Sequence, residues 1–565
     1  MRLSTPSLTP NPTQPTPSPS LSPSLSPRLL CPRLKAAMKD IEAPPSPSKL
    51  ESSASSLRGT DHDLATGTPS LHKGDGDDDQ QQPTSKLSKL WRRINDDLSI
   101  ESHGVAPLTE EQRVDSNFLD SFTMWLTMNA TIACFSTGTL GPLLFGFSMK
   151  NSFLVIVFFN IFSCAVPSYF AVFGPRLGMR QMAVARYSYG WLGATVPAAF
   201  NLISFIGFNA LNALLGGQVL ASVNPGTVST RVGIIIIATI SLVLSFCGYR
   251  VLHAFERWVW APVLLAFILL AGFGGRHLGA ATSYLADVPA TAGTILSFSC
   301  IIVGFSLSWC GCAADFNTYQ RSTVSSTKVF VYTFVGLYLP CALLQTMGAA
   351  FSAAALSGLV TTWENAFITG STGGLVAVAL EPLRGFGKVL LVFFALGMIT
   401  NIAPTCYAFS LSIQIVFPLL SKFPRFLFPI VATAIYLPIA IIAADHFAAA
   451  LSNFLSLLGY WSAIFAAIFV VEHWYFRKGR FTSYDSSVWD SRSLLPPGIA
   501  AIVSSLVGAA LVVVSMDQVW WRGPIAVKIA GNSAYGGDVG LWLGALAAAI
   551  VYLPLRRLER SHFRG

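Results

Sequence analysis

The chain has 565 residues, 52% of them hydrophobic and only 12% charged, with a mean hydropathy of +0.56. Soluble domains carry about 25% charged residues, so most of this chain is not built to face water. The net charge of +9 lies in short connections and not along a basic stripe interleaved with aromatics; this excludes nucleic acid and points to membrane-surface phosphates.

Residues 1–84 are rich in Pro, Ser and Thr with few aromatics, the composition of a disordered cytoplasmic tail. Residues 85–116 form a juxtamembrane segment in which "SKLSKLWRRINDDL" (85–98) reads as a short amphipathic helix on the cytoplasmic leaflet. From residue 117 to 556 the chain is a transporter-sized series of apolar runs, each long enough for a bilayer. Twelve are predicted, roughly at 118–146, 152–173, 191–221, 232–249, 255–274, 293–317, 329–352, 389–417, 426–444, 451–474, 497–515 and 537–555. A shorter segment at 361–383 is expected as a surface or re-entrant helix, and 557–565 as a short cytoplasmic tail. The resulting fold class is an all-α polytopic membrane protein.

If the N-terminus is inside, the inner connections and C-terminal tail hold 17 of the 24 basic residues after position 116. Both termini are therefore expected in the cytoplasm. The sequon at Asn129 falls inside a span, where it is closed to glycosylation.

Intramembrane polar groups carry the functional signal, because they are costly and usually face a cavity. Acidic pairs and histidine clusters, needed by a membrane hydrolase or redox enzyme, are missing from the spans, as is a channel filter motif. Eight of the nine cysteines lie in apolar runs, and Cys310–Gly311–Cys312 has no partner pair at metal-ligand spacing. No metal or cofactor is expected. What remains is amides, hydroxyls, aromatics and interrupted helices.

Span one reads "FSTGTLGPLLFG", with Gly138, Gly141 and Pro142; span six reads "FSLSWCGCAADFNTY", with Gly311. Breaks at the first helix of each of two five-span halves would mark a midplane site between inverted repeats. The alternative is that these glycines let helices pack closely. On span three, Phe208 and Asn212 share one face a turn apart, an aromatic plane beside an amide, as a flat heterocycle requires. An asparagine joining two helices would look the same. Span eight carries "ITNIAPT", in which Asn401 can face a cavity and Pro404 can loosen the helix beyond it, freeing the Thr400 carbonyl.

The stretch "FGPRLGMRQMAVARYSYG" after span two, "CGCAADFNTYQ" in span six and the N-x-x-P of span eight resemble the purine-cytosine permease branch of the nucleobase:cation symporter family, over about residues 85–556. The resemblance implies a LeuT-type 5+5 inverted repeat with two further C-terminal helices. It implies a plasma-membrane symporter of purine or cytosine-type nucleobases, with Ser136, Phe208, Asn212, Trp309 and Asn401 as substrate-binding residues. Phe208 stands where the branch usually has Trp, and Ile402 where it often has a second Asn. A B6 vitamer, thiamine, allantoin or a nucleoside therefore remains open as the cargo, as does a nutrient receptor without transport. Sodium-coupled relatives place hydroxyl residues five and six positions before the span-eight Asn; here those are Leu396 and Ala395. The expected coupling ion is a proton, with Asp315 as its carrier or as a cytoplasmic gate.

Overall fold

The computed structural model describes residues 104–563 except 116–117, 247, 285–289, 424–426 and 532–535, together with the side chains of 246–257 and 421–422. The predicted tail and amphipathic helix lie outside the described residues. The rest is helical: α1 (Phe118–Asn129), α2 (Ile132–Phe145), α3 (Met149–Ala171), α4 (Gln181–Gly193), α5 (Thr195–Val223), α6 (Thr230–Phe246), α7 (Gly248–Gly275) and α8 (Ala292–Leu307). There follow α9 (Ser326–Leu356), α10 (Thr361–Leu380), α11 (Gly385–Val416), α12 (Leu427–Ala443), α13 (Phe447–Val471), α14 (Ile499–Ser515) and α15 (Gly540–His562). A two-residue hairpin pairs Asp517–Gln518 with Trp521–Arg522 between α14 and α15. All twelve predicted spans coincide with helix.

Span one is divided, but not where its glycines suggest. The break falls at Ala130–Thr131, with Thr131 extended at φ −130° and ψ 161°. Gly138, Gly141 and Pro142 all lie inside α2. A Cβ on Gly138 would sit 1.8 Å from the Gln345 carbonyl oxygen of α9, and one on Gly141 would sit 2.9 Å from Ser152 Oγ. Gly138 brings two backbones together and Gly141 makes room for the side chains of Ser152 and Phe298; neither interrupts the helix. Pro142 lies in the last turn of α2, where the missing N–H costs little continuity. Span six is broken as expected near Gly311: α8 gives way to 3₁₀ turns at Ser308–Gly311 and Ala313–Asn317.

Pro404 does not break span eight. Helix α11 runs unbroken from Gly385 to Val416. The proline removes one N–H without ending the helix; the Thr405 hydroxyl, whose proton goes to Asn209 Oδ1, also lies 2.8 Å from the Asn401 carbonyl and 2.9 Å from that of Ile402.

Two other differences are local. Helix α10, expected as a surface or re-entrant element, bends at Ser371 (φ 52°, ψ −145°), and the stretch Thr361–Leu383 is by length and composition apolar enough to cross a membrane. Helix α15 continues to His562, beyond the expected end at 556, where Arg556 binds both Glu472 (3.0 Å) and Glu559 (2.6 Å) near its C-terminal end.

Helix packing separates two groups. Helix α9 lies along α1, α2 and α3, and α8 packs on α3, while α5 lies along α11, α6, α10 and α12. The broken spans one and six thus belong with spans two and seven. Spans three, four, eight and nine form the other body, and the site lies where the two meet.

Candidate functional site

Four of the five expected binding residues are drawn together. Trp309, in the 3₁₀ turn after α8, faces Phe208 of α5 with ring centroids 6.1 Å apart and planes inclined by 18°. The rings are parallel but closed on each other. A third ring between them needs two van der Waals gaps, about 7 Å between the planes, so the pair must open before it can hold one. Phe208 is braced edge-on by Phe305 (6.2 Å) and Phe454 (5.5 Å), and Trp309 by Trp125 (5.5 Å).

The two amides also meet. Asn212 Nδ2 donates to Asn401 Oδ1 at 2.7 Å, and Asn401 Nδ2 donates to the Met128 carbonyl at 2.7 Å. Met128 lies in the last turn of α1, whose carbonyls lack helical partners because the helix stops there. The break in span one therefore supplies the acceptor that orients Asn401. Asn212 Oδ1 is buried without a hydrogen-bond partner, as is the Ser136 hydroxyl in α2. The structure thus brings together Phe208, Trp309, Asn212 and Asn401, and places Ser136 as a buried, uncommitted hydroxyl.

Asp315 occupies a different position. Its carboxylate accepts from the backbone N–H of Gln181 (2.6 Å), the first residue of α4, and its carbonyl accepts from Arg180 Nη1 (2.7 Å). Gln181 returns a contact, its side-chain oxygen accepting from the Ala314 N–H at 3.3 Å. A carboxylate at a helix N-terminus is electrostatically favoured, and here it fastens the end of span six to α4. Arg180 also lies over the rings of Tyr319 (5.3 Å) and Tyr407 (5.9 Å), linking span six to span eight.

Several polar residues of the site were missed in the sequence. Asn201 donates to Ser412 (3.0 Å), Thr405 donates to Asn209, and Asn212 donates to Asn401. The partner numbers rise on α5 as they fall on α11, so the contacts form an antiparallel polar ladder along two helices. A signal existed: at 100° per residue, Asn201, Asn209 and Asn212 fall within about 80° of arc, and Asn401, Thr405 and Ser412 within about 40°. Asn129, read only as a sequon, accepts the Trp309 indole N–H at 3.2 Å.

Two broken helices meeting at a buried site of aromatics and amides, within a bundle of apolar spans, define an integral-membrane transporter of the LeuT type. The fold agrees with that of Mhp1, a nucleobase-cation-symport-1 family transporter in a closed conformation with bromovinylhydantoin bound: TM-score 0.62, 16% identity, covering 81% of this chain and 96% of Mhp1. The profile of the family described as permease for cytosine/purines, uracil, thiamine, allantoin matches residues 107–544, and the chain belongs to that family. It is 35% identical over 504 residues to the purine-cytosine permease FCY2 of Saccharomyces cerevisiae, covering 86% of this chain and 92% of that one. It is 33% identical over 480 residues to the purine-cytosine permease fcyB of Emericella nidulans, covering 84% and 91%. These relatives are permeases, not enzymes.

Proposed function

We propose that this chain imports a purine or cytosine-type nucleobase across the plasma membrane together with a proton, both termini lying in the cytoplasm. The observation that carries the reading is the parallel Phe208–Trp309 pair beside the unpartnered, buried Asn212 Oδ1. Two parallel aromatic faces select a flat ring, and base–aromatic stacking contributes about 1–3 kcal/mol. An acceptor with no protein donor selects a ring edge that brings an N–H, and Ser136 can answer as donor or acceptor. Nucleobases carry such edges. The clamp opens as the ring enters, and the bundle containing spans one, two, six and seven rocks against the other body.

The proton assignment rests on residues 395 and 396 of α11. Ala395 and Leu396 offer no side-chain oxygen to a dehydrated sodium ion, which takes oxygen ligands as other hard cations do. Asp315 is the carboxylate in the turn after the break in span six, and its contacts with α4 suit it to closing the inner mouth.

The deciding experiment is uptake of radiolabelled adenine or cytosine in a permease-null yeast, competed by a panel of heterocycles. Competition led by nucleobases supports the reading. Competition led by B6 vitamers, thiamine, allantoin or nucleosides would replace the cargo, and saturable binding without uptake would make the chain a receptor. Uptake should rise as external pH falls, collapse with a protonophore and ignore replacement of sodium by choline; sodium-dependent, protonophore-insensitive uptake refutes proton coupling.

A further inference from the structure

The dipeptide Met128–Asn129, at the end of α1, takes an N–H from each wall of the site. Met128 accepts from Asn401 on span eight at 2.7 Å, and Asn129 Oδ1 accepts from the Trp309 indole at 3.2 Å. Asn129 is fully buried, and its own amide donates to the Trp125 carbonyl at 2.9 Å. That second bond fixes which way the amide faces: nitrogen towards its own helix, oxygen towards the indole. The Trp125 ring, four residues earlier and so on the same face of α1, meets Trp309 edge-on at 5.5 Å and 88°. Trp309 itself sits in a short 3₁₀ turn between two helix fragments, so its backbone gives the indole less purchase than a regular helix would.

From these contacts we infer that Asn129 is the positioning residue of the stacking wall. It sets the indole plane parallel to Phe208 from span one, by a hydrogen bond that a substrate need never touch. The inference rests on the reading of Trp309 as a stacking wall and deepens it. Asn129 and Trp309 belong to the same bundle, so this bond keeps the indole plane set within that bundle.

Asn129→Ala is a workable test, because the Trp125 carbonyl keeps its helical partner when the side-chain donor is lost. The first readout needs no substrate. In 5-fluorotryptophan-labelled protein, the Trp309 resonance is identified by its loss in Trp309→Phe. Asn129→Ala should broaden or split that resonance in protein that stays monodisperse; an unchanged resonance overturns the inference. The second readout is transport. Asn129→Ala should raise the apparent KM about tenfold at nearly unchanged maximal rate, and should add nothing in a Trp309→Phe background, which has no indole N–H. A full additional loss in that background would show that Asn129 acts elsewhere. Absence of heterocycle uptake by the wild-type chain would refute the transport reading instead, leaving the resonance test to decide the positioning role.

Discussion

Removal of either site amide should not cost the same. Asn401 stands between two partners, donating to the Met128 carbonyl and accepting from Asn212, each at 2.7 Å. Asn401→Ala orphans both groups, and each buried unsatisfied group costs about 1–3 kcal/mol, so the loss reaches about 2–6 kcal/mol. Asn212→Ala orphans only Asn401 Oδ1 and removes an Oδ1 that already lacked a partner, limiting its cost to about 1–3 kcal/mol. The difference of about 1–3 kcal/mol is a factor of about 5–150. In detergent-solubilised fluorescent fusions, Asn401→Ala should lose its monodisperse peak at a clearly lower temperature than Asn212→Ala. The double variant should fall short of the sum, because removing Asn212 abolishes one of the groups that Asn401→Ala had orphaned. Equal heat tolerance of the two single variants, or additive losses in the double, would refute the bonding pattern.

Trp309→Ala should weaken apparent affinity about tenfold or more by loss of stacking, with normal surface abundance; unchanged competition constants would remove Trp309 from the clamp. Gly138→Ala would place a Cβ 1.8 Å from the Gln345 carbonyl oxygen, forcing α2 and α9 apart, whereas a Cβ on Gly272 meets nothing within 4 Å. Overpacking of this kind costs about 1–3 kcal/mol, so Gly138→Ala should reduce folded protein at the cell surface while Gly272→Ala does not.

The spans were legible because an apolar run of bilayer length leaves few alternatives, and the first and sixth were rightly singled out. The position of the first break was not legible. Glycine is used for two purposes in these helices, and at Gly138 it answers to the carbonyl of Gln345, which lies 207 positions away in sequence. The interruption instead falls two residues after Asn129, where extended Thr131 opens a new helix. Pro404 misled for a related reason: a single missing N–H does not end a helix this long. That Phe208, Asn212, Trp309 and Asn401 would come together was legible from spacing and resemblance. Their partners were not, since a main-chain carbonyl such as that of Met128 has no signature in the amino-acid code.

The ladder between α5 and α11 has a consequence for how the two helices can be exchanged. Three polar pairs, Asn201–Ser412, Asn209–Thr405 and Asn212–Asn401, form in a single alignment of the two helices. A slip of one residue, about 1.5 Å along the axis, would disturb all three together. The amides of Asn212 and Asn401 are therefore held in place by all three pairs together. Spans three and eight thus behave as one inheritable cassette: exchanged together between related permeases, they carry their alignment with them. Exchanged singly, either span would bring one half of a polar pattern whose other half stays behind.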